Sequence, residues 1–228
     1  MGEMPMAGGG TMSMAWTRMP GQTWPGTAAS FLVMWVVMMV AMMLPSLLPM
    51  LWRYRQAVGR TGGTRLARLT ALVGMGYFFV WSVFGMAVFP LGVALAAVEM
   101  QHPALARSVP IAIGMVILMA GSLQLTAWKA RHLAYCSEVP GPGRTLTAGA
   151  RTAWRHGLRL GLHCSQCCVG LMAILLVIGV MNLRAMAVVA AAISVERLVP
   201  AGERVAQATG AVVVGAGLFL IARAAGLG

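Results

Sequence analysis

Residues 163–168 read HCSQCC, so three of the chain's four cysteines fall within five positions. On a helix, Cys164, Cys167 and Cys168 stand at i, i+3 and i+4, and their thiols share one face. Upstream, RHLAYC puts His132 and Cys136 at i, i+4 as well. A thiol-rich set with imidazole beside it suits a soft or borderline metal, copper as Cu(I) or else zinc. The expected ligands are Cys136, Cys164, Cys167 and Cys168, with His132 and His163. Free cysteine also packs as a small hydrophobe. Three in five positions, with a fourth at another helix end, weigh against that simpler reading. His163 alone would serve equally as an interfacial polar residue, and His102 and His156 have no ligand-spaced partner in the sequence.

A second soft-donor pattern lies nearer the N-terminus. The chain has 20 methionines, and Met34, Met38 and Met42 recur at i, i+4 and i+8 with Met39 and Met43 beside them. Thioethers are soft and neutral, so such a stripe can hold Cu(I) without burying a charge. It can equally be plain helix packing. Met4, Met6, Met12 and Met14 lie in a Gly-rich stretch that could capture metal outside the membrane. Glu196, in SVERLVP, is the remaining polar oddity. A carboxylate at membrane depth is expensive and usually paired, and here an interfacial position close to the helix end leads.

The elements that must position these groups are apolar. Of 228 residues, 59% are hydrophobic and 10% charged, and the mean hydropathy is +0.80. A soluble domain carries roughly a quarter charged residues; this composition belongs in a bilayer. The expected fold is all-α, a polytopic membrane helix bundle of about six spans, because only helices satisfy their own backbone in lipid. The spans read as 28–52, 70–100, 109–128, 158–181, 185–198 and 205–225. The fifth is short and crosses only where the bilayer thins or the bundle encloses it. Residues 1–27 form a Met/Gly-rich tail, expected to be extracytoplasmic and disordered, ahead of a single transmembrane domain over 28–228.

The net charge of +12 points to orientation and lipid rather than nucleic acid, since the arginines cluster between apolar runs. Arg53, Arg55, Arg60, Arg65 and Arg68 follow the first span. Lys129, Arg131, Arg144, Arg151 and Arg155 follow the third, whereas the alternate loops hold Arg107 and Arg184. The rich loops are expected in the cytoplasm, with both termini outside, in a bacterial inner membrane. That side keeps thiols reduced and disfavours a disulfide. The chain has no aspartate and neither G-x-x-x-x-G-K-[ST], G-x-S-x-G nor H-E-x-x-H, which excludes phosphoryl-transfer pumping by this chain alone.

The stretches MWVVMMVAMMLPS (34–46), AGSLQLTAWK (120–129), CSQCCVGLM (164–172), GVMNLRAM (179–186) and ERLVPAG (196–202) resemble the bacterial predicted metal-binding integral membrane proteins, a family catalogued as a domain of unknown function. The resemblance implies metal binding. Where that family carries K-x-x-C-L-x-x-C, this chain has Lys129, His132, Leu133 and Cys136, so an imidazole stands for one thiol. The leading expectation is a membrane protein that binds copper for uptake or for delivery to a membrane or periplasmic cuproenzyme. Its partners are the lipid bilayer and the metal ion, and an enzymatic role is not the leading one. The alternatives are a thiol redox enzyme, with Cys164 and Cys167 as a C-x-x-C pair resolved by Cys168 or Cys136, and a structural subunit without metal.

Overall fold

Apolar runs that must meet their own backbone hydrogen bonds fold as helices, and helices dominate the computed structural model. It describes residues 3–5, 11–13, 23–59, 62–101, 108–138, 146–180 and 182–226. The helices are α1 (Trp24–Val58), α2 (Gly63–Gln101), α3 (Val109–Gln124), α4 (Ala127–Glu138), α5 (Ala150–Ile178), α6 (Leu183–Leu198) and α7 (Gly202–Ala224). Near the N-terminus, the three-residue strands β1 (Glu3–Pro5) and β2 (Thr11–Ser13) pair antiparallel with Met4 opposite Met12. Met6, Met14, Arg60, His102, Arg107 and Arg144, which enter the sequence reading, lie outside the described residues.

The all-α expectation holds for the bundle. α1, α2, α5 and α7 are each long and apolar enough to cross a membrane; α3 and α4 make a fifth if taken as one span bent by 64°. The 16 residues of α6 rise only about 24 Å, against a hydrocarbon core of about 30 Å. Val33, Val37, Leu48 and Trp52 on α1 and Leu91 and Leu95 on α2 are exposed, an outer surface suited to lipid.

α1 and α2 run beyond the expected spans 28–52 and 70–100, and two further differences from the sequence reading have local causes. The third segment does not run unbroken through Trp128. Thr126 interrupts it: its hydroxyl donates to the Leu123 carbonyl at 2.7 Å and accepts from the Lys129 amide at 3.4 Å. These bonds close one helix and open the next. α5 begins two turns before Leu158 because those turns are amphipathic. Arg151, Arg155 and Arg159 face outward while Ala153 and Gly157 are buried. An apolar-run reading stops where the arginines start.

The core centres on α5, which packs against α2, α3, α4 and α6. Small residues set the closest approaches, as they do where helices pack in lipid. A Cβ on Gly161 would stand 2.9 Å from the Tyr77 carbonyl oxygen, and one on Gly76 would stand 2.8 Å from that of Trp154. α2 therefore lies backbone to backbone on α5, which brings the Tyr77 side chain onto the cysteine face. α1 adds a buried stripe of Phe31, Trp35, Met38, Met39, Met42, Met43, Leu47, Met50 and Tyr54.

Candidate metal centre

The cysteine face of α5 points inward. Cys164 is fully enclosed, and Cys167 and Cys168 are at most 2% exposed. The Cys164 sulfur is 4.0 Å from the Cys168 sulfur one turn on, and 4.0 Å from the Met43 thioether of α1. The Tyr77 hydroxyl of α2 lies 2.8 Å from the same sulfur. From α4, the buried Cys136 thiol is a hydrogen-bond neighbour of Cys167. Arg197 of α6 donates from Nη2 to the Cys136 sulfur at 3.4 Å. Five helices thus supply soft or polar groups to one buried region, and all four cysteines are free thiols.

The spacing suits a sulfur shell. Metal–thiolate bonds of about 2.3 Å place two ligand sulfurs about 3.8 Å apart in a tetrahedron and about 4.0 Å apart in a trigonal shell. Both 4.0 Å separations around Cys164 fall in that range. Among the described residues, no three His, Cys, Asp or Glu side chains converge as a ready-made site. The third soft donor at Cys164 is a methionine.

The other sequence-predicted ligands sort into separate groups. His132 and His163 meet each other, Nδ1 to Nδ1 at 3.2 Å. Trp128 stands edge-on to His132, and Tyr135 stacks on His163 with ring centroids 3.7 Å apart. Met38 and Met42 are buried in the α1 stripe and Met34 is partly buried against it. The methionine that reaches the thiols is Met43, one position off the expected i, i+4 series and so about 100° round the helix.

Sequence reasoning also missed a buried polar network. Glu196, expected at an interface, is 2% exposed. It accepts from Lys129 Nζ at 2.8 Å and from Gln124 Nε2 at 2.8 Å. The same ammonium donates to the Cys167 carbonyl at 2.7 Å, tying the ion pair to the backbone of the cysteine helix. The signal was present in the sequence. A lysine directly after one apolar segment and a carboxylate near the end of another each need a partner if buried, and each is the natural partner of the other.

A family model described as PpoB2, copper chaperone, matches residues 32–220. That range includes every sulfur and charged group just described. No curated protein and no solved structure matches the chain.

Proposed function

We propose that this chain, which belongs to the PpoB2 copper chaperone family, holds Cu(I) as cargo inside the bilayer on Cys164, Cys168 and Met43, with Cys136 and Cys167 as adjoining thiols. The observation that carries this reading is Cys164, its sulfur 4.0 Å from both a thiol and a thioether donated by different helices. Cu(I) favours such soft donors. Two thiolates supply affinity, and a neutral thioether supplies a bond that exchanges readily. That combination suits a carrier, since cargo must leave as well as bind.

The remaining groups fit a path. Met34, Met38 and Met42 would pass metal along α1 toward the thiols from the extracytoplasmic side. His132 and His163 form a separate pair of nitrogen donors on the same two helices, α4 and α5. Delivery would run to a membrane or periplasmic cuproenzyme, from a chain embedded in a bacterial inner membrane with its arginine-rich loops in the cytoplasm.

Elemental analysis of the anaerobically purified protein tests the reading. About one copper per chain is expected, in keeping with a single sulfur shell. Protein without bound metal but with a titratable dithiol would favour the redox-enzyme alternative, and stoichiometric zinc would remove the copper assignment.

A further inference from the structure

Glu196 and Arg197 are consecutive on α6 and both are buried, but only one has its charge met. Glu196 is engaged by Lys129 and Gln124. Arg197 is 8% exposed, and its Nε and Nη1 are buried without a hydrogen-bond partner among the described residues. Its third nitrogen reaches only the Cys136 thiol, and a neutral thiol is a weak acceptor. The thiol it reaches belongs to the same buried cluster as Cys164, Cys167 and Cys168. Among the described residues the ion pair is Lys129–Glu196, and no carboxylate pairs with Arg197. A buried cation without a counter-charge costs stability until an anion arrives, and the thiols become that anion on metallation.

We infer that Arg197 is the fixed counter-charge of the sulfur site and sets its preference for a monovalent soft cation. The inference rests on the metal-binding reading above. When the cation binds, the S–H bonds of Cys164 and Cys168 break, two protons leave, two metal–thiolate bonds and one bond to the neutral Met43 thioether form, and no oxidation state changes. The thiolates contribute two negative charges, the cation and Arg197 one positive charge each, and Lys129 cancels Glu196. The buried site is then neutral. A divalent cation in the same shell would leave one net positive charge. Neutrality would then require a further thiolate, which the proposed shell of Cys164, Cys168 and Met43 does not supply.

The test uses the reduced full-length protein in detergent, with silver(I) as a redox-stable monovalent probe and zinc(II) as the divalent competitor. Wild type should prefer silver. Arg197→Met, which keeps length and removes charge, should weaken silver binding roughly a hundredfold, the scale of losing one partner of a buried ion pair. It should also move the silver-to-zinc preference toward zinc. Arg197→Lys should keep the wild-type preference. The metal-free Arg197→Met protein should melt no lower than wild type, because the substitution removes an unbalanced charge. A lower melting temperature would make Arg197 a structural residue and overturn the inference. An unchanged silver-to-zinc preference in Arg197→Met would overturn it too, leaving the site itself standing. Absence of silver binding by wild type would remove the metal reading and the inference together.

Discussion

Two buried polar regions meet on α6, and they are built on opposite principles. In the first, Lys129, Gln124 and Glu196 form a closed network of hard donors and acceptors, with the Cys167 carbonyl as a further acceptor. In the second, Arg197 faces thiols, with two N–H groups unmatched and no carboxylate partner among the described residues. The closed network acts on architecture. It clamps the broken α3–α4 segment against α6 and ties that joint to α5. The open region has no comparable structural explanation: its donors are soft, buried and incompletely matched. A satisfied network rigidifies, whereas an unsatisfied one is where a ligand belongs.

The sharpest way to break this comparison is to open the closed region. Glu196→Ala leaves the Lys129 ammonium buried without its partner, which typically costs about 3–5 kcal/mol. Thermal unfolding of the detergent-solubilised protein should show that loss. The double change Lys129→Met with Glu196→Leu should recover most of it, since apolar replacement of a whole buried pair is often neutral. A Glu196→Ala protein as stable as wild type would show that the network is not the clamp.

Changes in the open region should separate binding from stability. Cys164→Ser should abolish stoichiometric metal, while its effect on unfolding stays near 1 kcal/mol, the scale of one hydrogen-bonding group. Cys136→Ser should lower bound metal substantially. Full metal retention in Cys136→Ser would confine the site to α5 and α1 and detach α4 from it.

The smallest effects belong to the methionines, and they sharpen the contrast between route and site. Replacing Met34, Met38 and Met42 together by Leu keeps volume and apolarity, at a cost typically below about 1.5 kcal/mol each. Metal binding by purified protein should persist, and only loading from outside in intact cells should slow. Met43→Leu should do the reverse and weaken binding in detergent. Wild-type loading in the triple variant would reduce the stripe to packing.

Much of the fold could be read from the sequence because lipid imposes few choices. Long apolar runs become helices, and each of the six apolar segments expected from the sequence overlaps a helix. Less legible were the places where a single side chain overrides the run. Thr126 breaks a helix by bonding locally, and Arg151, Arg155 and Arg159 conceal two helical turns behind an exposed charged face. At the candidate site, the cysteine spacing shows which thiols share a face. It cannot show which partner crosses from another helix. Met43 rather than Met42 touches Cys164 because of a 100° rotation that a repeat of four does not resolve. Lys129 on α4 and Glu196 on α6 are separated in sequence by the whole of α5, and only tertiary packing joins them. Arg197 was hidden by its neighbour, since a Glu-Arg dipeptide reads as self-compensating when in fact the two side chains serve different regions.

X-ray absorption at the copper edge of the anaerobically loaded protein tests the central claim most directly. A first shell of two or three sulfurs at roughly 2.3 Å, reduced by one in Met43→Leu and lost in Cys164→Ser, is the predicted result. A shell dominated by nitrogen or oxygen, or one unchanged in Cys164→Ser, would contradict it.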